Sequence, residues 1–189
     1  MNQQFFETIK CYDFEIFHLS YHKKRVARTI SSNLNLEEYI YPPSNELLKC
    51  KVIYDHNGVI DIEYLPYKKK EIKSFKLIYD NHILYDKKST DRLEIEKLFL
   101  EKQNCDEIII VKNNLLTDTS IANIALYYDG KWITPKKPLL YGTTRERYLE
   151  NEILIESDIS IEMLFQSSKI ALLNAMIDFD TIENYEIRE

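Results

Sequence analysis

The stretch "LLTDTSIANIAL", Leu115 to Leu126, places a cluster of Thr, Asp and Ser residues and one Asn between two apolar runs. Asp and Thr side chains often hydrogen-bond to their own backbone, so a polar turn between two strands is the simplest interpretation. The alternative is a strand-turn-strand that delivers the carboxylate of Asp118 to a site. The composition of this stretch is compatible with both, and the rest of the chain must distinguish them.

Regular structure is predicted on both sides of this stretch. The strand "DEIIIV" precedes it, "IANIALYYDG" forms its second half, and the edge "KWITP" follows. A helix is predicted to begin near Thr143 in "GTTRERYLENEI", and a further strand lies near "SSKIALLNAM". From Asp91, the pattern "DRLEIEKLFLEKQ" is typical of a helix. This half of the chain therefore mixes strands and helices.

The first eighty residues contain a second group of elements. "FFETIKCY" and "EIFHL" read as two strands, and the helix that follows is expected to be capped by Ser20. Two β-branched runs flank Asn57-Gly58 and predict a hairpin with a type I′ turn, because this pair supplies positive φ angles. A third strand, "SFKLIYD" at residues 74–80, is expected to extend the same sheet.

The bulk composition excludes several classes of protein. An apolar content of 44% in 189 residues indicates a globular chain, and no apolar run approaches the roughly eighteen residues of a membrane span, so a cytoplasmic protein is expected. A net charge of -6 argues against a nucleic-acid surface spread over the molecule. The three cysteines form no CxxC pair, so neither a disulfide framework nor a metal site is predicted.

Three motifs carry charges or donors suited to a binding site. "HKKRVAR" is either the solvated face of a helix or an anion site. "YGTTRER" is either an ordinary Thr-capped helix start or a phosphate site, because the first turn of a helix leaves several backbone N–H groups without partners. The pair Lys87-Lys88 reads most simply as two solvated side chains. No single motif decides a function.

The order of these motifs resembles the class IV, or fold-type IV, pyridoxal-phosphate enzymes, which include branched-chain and D-amino-acid aminotransferases and aminodeoxychorismate lyase. The similarity spans residues 5–178 and is most specific in "LTDTSIANI", "TP" and "LLYGTTRER". It implies an α+β fold like that of D-amino-acid aminotransferase, with a cofactor cleft between two lobes. We expect a small α+β lobe at 1–85 and a cofactor-binding lobe at 86–189. Because the family pattern begins further upstream of "FETI", the first lobe is expected to be truncated.

The resemblance also implies a cofactor and the residues that hold it. Pyridoxal 5'-phosphate (PLP) would be bound covalently by Lys88, with Lys87 as the alternative, and the freed amine would move protons during catalysis. Asp118 would face the pyridine nitrogen, and its carboxylate has to come closer than the glutamate that many relatives carry. The positions that bind the phosphate in the family match Arg25, Thr143, Thr144 and Asn174.

The implied activity is that of a lyase that converts 4-amino-4-deoxychorismate to 4-aminobenzoate and pyruvate in folate synthesis. An aminotransferase acting on branched-chain or D-amino acids is the alternative, and a degenerate, non-catalytic family member is a third possibility. In each enzymatic case the partner is a small-molecule amino substrate, not a nucleic acid or a membrane. A homodimer is expected, because in this family the neighbouring subunit closes the cofactor cleft.

Overall fold

A computed structural model describes residues 3–189 of the chain, which divide into two compact units. The first unit runs up to Lys69 and also includes Lys87–Asp91, and the second comprises Lys70–Asp86 and Arg92–Glu189. The chain therefore leaves the second unit after residue 86 and returns to it at residue 92. The two lobes expected at 1–85 and 86–189 differ from these units in the placement of residues 70–85 and of Lys87–Asp91.

The first unit is an antiparallel four-stranded sheet, in the order β2-β1-β3-β4, with one α-helix and a short 3-10 helix. In β1 and β3 every second side chain is buried, which is the signature of a sheet with one face on a core. The elements are β1 Phe5–Tyr12, β2 Glu15–Ile16, α1 Leu19–Ile30, the 3-10 helix Leu36–Glu38, β3 Leu48–Asp55 and β4 Gly58–Pro66.

The inward-facing row of β1 contains one carboxylate. Phe5, Ile9 and Cys11 are fully buried in the apolar core of this unit, and Glu7 is buried in the same row. The inner face of α1 supplies polar partners, because His22 and Arg25 are buried together with Val26. Spacings of three and four residues place these side chains on one face of the helix.

The second unit contains the other nine strands and three α-helices. Its sheet has the order β10-β9-β8-β7-β6-β5-β13, and β11 pairs with both β8 and β12. The elements are β5 Ser74–Tyr79, α2 Leu93–Leu100, β6 Glu107–Lys112, β7 Leu115–Thr119, β8 Asn123–Tyr128, β9 Lys131–Pro135, α3 Thr143–Glu150, β10 Leu154–Ser157, α4 Ile161–Gln166, β11 Lys169–Asn174, β12 Asp178–Ile182 and β13 Glu186–Arg188.

The central strands of this sheet are buried on both faces. In β6, Ile109 and Val111 pack into one apolar core, whereas Ile108 and Ile110 pack into another. A strand between two cores reads as a continuous apolar run, and "EIIIV" has that composition. Three pairs of neighbouring strands are parallel, namely β5–β6, β5–β13 and β9–β10, and the other pairings are antiparallel.

Several predicted elements are present, but one strand pairing, one helix cap and one strand length were wrong. The strand at residues 74–80 does not extend the first sheet, because β5 pairs with β6 and β13 in the second unit. Ser20 does not cap α1, since the helix begins at Leu19 after His18, whose backbone is left-handed. The predicted strand "EIFHL" reaches only Glu15–Ile16 before the helix takes over. None of the helices in residues 3–189 combines the length and hydropathy of a membrane-spanning segment.

The hairpin at Asn57-Gly58 forms, but its turn is not type I′. The strands pair from Asp55↔Gly58 onwards, so His56 and Asn57 are the loop residues. A type I′ turn needs positive φ at both, and here the positive angle, +144°, lies at Gly58, which already belongs to β4. A shift in register between Ile53 and Tyr54 accompanies it.

We expect Gly58→Ala to lower the free energy of unfolding by about 1–3 kcal/mol, because an L-residue at this φ is strained even though no atom crowds the Cβ position. Chemical denaturation followed by circular dichroism measures the change. Asn57→Ala, at a position without positive φ, is the matched control. Equal losses in both variants would show that backbone strain at Gly58 is not the cause.

Candidate active site

The buried carboxylate of Glu7 is the centre of a polar cluster in the first unit, which we call the Glu7 cluster (Glu7, His22 and Arg25). Nε of Arg25 donates to Glu7 Oε1 at 2.8 Å and its Nη2 donates to Oε2 at 2.5 Å, which is a two-pronged ion pair. Nδ1 of His22 lies 2.5 Å from Oε2. All three residues are at least nine-tenths buried.

The charges of this cluster are set by burial and by one another. Burial raises the pKa of Glu7, but Arg25 and the hydrogen bonds from His22 and Arg25 more than offset it and lower the pKa to about 2. The pKa of His22 is lowered, chiefly by burial and also by the positive charges of Arg25 and Lys88. A neutral His22 must then carry its proton on Nδ1 to donate to Glu7, which leaves Nε2 as an acceptor.

Lys88 belongs to the first unit although it follows the second unit's first strand. Phe6 N donates to the carbonyl of Lys88 at 2.9 Å, and Phe5 pairs with Ser89, so the segment 87–91 is held against β1. Nζ of Lys88 lies 4.6 Å from the ring centroid of Phe6, and its charge acts on His22. Lys87 points elsewhere, because its Nζ donates to the carbonyl of Thr29 at 3.3 Å.

Asp118, at the penultimate position of β7, is one of two buried carboxylates of the second unit, the other being Glu107 in β6. Its Oδ1 accepts from Nδ2 of Asn123 and its Oδ2 from the backbone N of Leu140, at 2.7 and 2.8 Å. Burial raises its pKa to about 6, although Leu140, Asn123 and the nearby positive charge of Arg145 work in the opposite direction. A carboxylate offers about four lone-pair sites, so these two hydrogen bonds leave acceptor capacity.

The first turn of α3 is a set of donors without a side-chain cap. Gly142, the N-cap residue, has extended backbone, and the first intrahelical bond it receives comes from Glu146 N at 3.0 Å. Thr143 and Thr144 follow and are both buried. The backbone N–H groups of a first helical turn, together with the positive end of the helix dipole, favour an anion such as phosphate.

Two predicted phosphate ligands have other partners in this structure. Two guanidinium nitrogens of Arg25 donate to Glu7. Oδ1 of Asn174 accepts from the backbone N of Met176 and of Ile177, and its Nδ2 donates to the carbonyl of Ile121 at 3.3 Å. The amide of Asn174 therefore stabilises two turns, and its contact with a phosphate stays a prediction, as does that of Arg25.

Sequence reasoning missed three polar residues that organise these sites, Glu7, His22 and Asn123. Glu7 occupies an inward position in a strand of alternating burial, and this pattern was readable from "FFETIKCY". His22 and Arg25 are three residues apart on α1, which is also visible in the sequence. Asn123 gave no such signal, because its partner Asp118 lies across the turn between β7 and β8.

Comparison with known proteins identifies the family of this chain. The family described as "Amino-transferase class IV" matches residues 60–183 of the chain. The chain belongs to the class IV amino-transferase family. An uncharacterised protein of Haemophilus influenzae is 32% identical to this class IV protein over 182 residues, which cover 90% of the chain and 96% of the relative.

Solved structures of class IV relatives have the same fold. A Haemophilus somnus protein, provisionally named 4-amino-4-deoxychorismate lyase, is 31% identical and has a TM-score of 0.80, covering 93% of this chain and 97% of its own. A hypothetical aminotransferase of Mycobacterium tuberculosis, solved in its PLP-bound form, is 13% identical, with a TM-score of 0.75 and coverage of 95% and 80%. The predicted fold-type IV class is thereby confirmed for this protein.

We expect Glu7→Gln to lower the free energy of unfolding at pH 7 by about 3–5 kcal/mol, because it leaves the buried Arg25 without its counter-charge. The pKa of Glu7 is about 4.5 unfolded and about 2 folded, so its ionised form stabilises the fold above pH 4.5, and that contribution is lost as the pH falls towards 2. The difference between wild type and variant should therefore shrink over this window.

Denaturation titrations between pH 7 and 2 measure this difference. Glu37→Gln is the control, because Glu37 pairs with Lys23 at 2.7 Å on the surface and should contribute less than about 1 kcal/mol. A deficit in Glu7→Gln that stays constant with pH would contradict the role assigned to its charge.

Proposed function

We propose that this protein is a PLP-dependent lyase that converts 4-amino-4-deoxychorismate to 4-aminobenzoate and pyruvate. The observation that carries the proposal of a cofactor is Asp118, a fully buried carboxylate held by two neutral donors with a pKa raised to about 6. The choice of reaction is supported by the Haemophilus somnus relative, whose provisional name is that lyase and whose chain this one covers almost completely.

The residues present fit the three chemical features of PLP. Asp118 has acceptor capacity and a raised pKa, so a protonated ring nitrogen would supply the cationic donor that this buried carboxylate lacks. The uncapped start of α3, with Thr143 and Thr144, suits a phosphate dianion. Lys88 offers a primary amine for covalent attachment, whereas the Nζ of Lys87 is directed to the carbonyl of Thr29.

The proposal gives α3 the principal role at the phosphate. Two nitrogens of Arg25 already donate to Glu7, so Arg25 is assigned no more than a secondary contact with the phosphate. Asn174 is bonded to three backbone groups and is assigned no more than a secondary contact. A test of Thr143 and Thr144 is therefore more informative than one of Asn174.

When bound, PLP supplies an electron sink that stabilises a carbanion next to the substrate nitrogen. The ionised carboxylate of Asp118 keeps a proton on the ring nitrogen by accepting its hydrogen bond. The Lys88 amine would take the proton from the substrate carbon that bears the amino group and, as the carbon–oxygen bond to the enolpyruvyl group breaks, would give a proton to the leaving group, which departs as pyruvate. The hydrogen bond to Glu7 would hold the imidazole of His22 in place, and the positive charge of Lys88 favours the neutral form of that imidazole.

We expect wild-type protein to absorb visible light when mixed with PLP and to release pyruvate from enzymatically made 4-amino-4-deoxychorismate. Lys88→Ala should lose the visible absorbance and reduce pyruvate release about 10²-fold or more, because both the covalent link and the proton carrier are removed. Lys87→Ala, one residue away, should keep both properties and is the matched control.

The alternatives are outcomes of the same assay. Transfer of the amino group to the cofactor without pyruvate would identify an aminotransferase and overturn the lyase proposal. A folded wild type that takes up no PLP would overturn the proposed cofactor and favour a non-catalytic member of the family.

We also propose that the protein is a homodimer, as the resemblance implies. Several large apolar side chains are exposed in the isolated chain, among them Tyr41, Leu84 and Leu100, which are 70%, 75% and 81% exposed. Burial of such side chains at a subunit interface would remove apolar surface from water, which favours association. Sedimentation at micromolar concentration should give twice the chain mass of 22.6 kDa, and a mass of one chain would contradict the proposal.

A further inference from the structure

The side chain of Asn123 contacts both Asp118 and the start of α3. These are the two features of the second unit to which the proposed function assigns the cofactor. Its Nδ2 donates one hydrogen bond to Asp118 Oδ1 and the other to the carbonyl of Leu140, each at 2.7 Å. An amide nitrogen carries two hydrogens, so both are used. Asn123 is 5% exposed, and solvent therefore does not compete strongly for these bonds.

Leu140 closes the arrangement into a ring of hydrogen bonds. Its carbonyl accepts from Asn123 and its N–H donates to Oδ2 of Asp118 at 2.8 Å, so the two carboxylate oxygens have different donors. Asp118 and Asn123 are also cross-strand partners at the ends of β7 and β8. Both side chains are therefore placed by strand backbone, and the loop that contains Leu140 is tied to them.

The oxygen of the same amide packs against the N-cap of α3. A Cβ on Gly142 would lie 3.1 Å from Asn123 Cγ and 2.0 Å from its Oδ1, and the second distance is so short that the amide would have to move. The φ of Gly142 is -73°, an angle that any residue adopts, so the close approach of Asn123 is the reason for glycine here. The start of the helix is thus positioned directly on Asn123.

We infer that Asn123 is a positioning residue that sets the carboxylate of Asp118 and the anion-binding start of α3 in one fixed relation, and that Gly142 is the residue that makes this contact possible. The inference rests on the proposed function, because it presumes that a single cofactor uses both features. Aspartate at residue 123 would place oxygen against Asp118 and the Leu140 carbonyl, and alanine would leave both acceptors without their donor. Asparagine has the length and the two donors that this position requires.

The test measures PLP affinity by titration of Trp132 fluorescence, in wild type and in the variants Asn123→Ala, Gly142→Ala and the double variant. We expect Asn123→Ala to weaken binding about tenfold, the effect of one lost hydrogen bond to a charged group. It should also move the acidic limit of binding to higher pH, because the amide of Asn123 lowers the pKa of Asp118. The cofactor's own titration is common to all variants and cancels.

Gly142→Ala should weaken binding by a similar factor, because the new methyl group displaces the amide. In the Asn123→Ala background the space is vacant, so the same methyl group should change affinity less than about twofold. The same lack of additivity should appear in the stability of the cofactor-free protein, a readout that needs no activity. Asn151→Ala, at the exposed far end of α3, is the control and should leave affinity unchanged.

The outcomes separate the inference from the proposed function. Wild type that binds PLP while Asn123→Ala binds it equally tightly, or with an unchanged pH limit, overturns the inference alone. Additive effects of Asn123→Ala and Gly142→Ala overturn the claim that one contact links them. Wild type that binds no PLP overturns the proposed function and the inference with it.

Discussion

A carboxylate taken out of water is stable only if donors replace the water it has lost, and this chain meets that constraint in two ways. Glu7 receives a guanidinium fork and an imidazole, so its charge is compensated and its pKa falls to about 2. Asp118 receives an amide and a backbone N–H, both neutral, and its pKa rises to about 6. In the first unit, Arg25 and His22 thus stabilise the negative charge of Glu7 in full. The donors around Asp118 do not fully offset the cost of burying its negative charge. A cationic donor on a ligand would supply the missing stabilisation.

Each of the two carboxylates also positions a neighbouring group that the proposed function uses. Glu7 fixes α1 on its sheet, and through His22 it places an uncharged ring within electrostatic reach of Lys88. Asp118 is fixed by Asn123, and the same amide fits against the N-cap of α3. In each unit a buried carboxylate therefore fixes the residues next to a group with a proposed chemical role, Lys88 in the first unit and the start of α3 in the second. Neither arrangement needs a metal, and within residues 3–189 no cluster of three or more His, Cys, Asp or Glu side chains is poised to hold one.

Local sequence patterns predicted most of the helices and strands, but they predicted less well which strands pair with each other. Alternation in "FFETIKCY" and the apolar run "DEIIIV" predicted β1 and β6, and "GTTRER" predicted the start of α3. The assignment of β5 to the wrong sheet has a physical cause, since "SFKLIY" has the same composition whether its partner is β4 or β6. The turn at Asn57 was also misread, because the loop residues are His56 and Asn57 and the positive φ lies at Gly58, already in β4. In the site, single residues were readable, but the contact of Asn123 with Gly142 joins positions that only the folded chain brings together.

The strand pairing of β5 has a consequence for how the protein is made. On one side β5 pairs with β6, and on the other it is completed only by β13, through Glu186↔Ser74 and Arg188↔Lys76. During synthesis, β5 can pair with β6 before β13 has emerged from the ribosome. Until then, the backbone donors and acceptors on the other edge of β5 are unpaired. An open strand edge can pair with another nascent chain. Residues 186–188 cover this edge and so protect the protein from that route to aggregation. Because this contact joins residues so distant in sequence, it can form only after residues 186–188 have been synthesised.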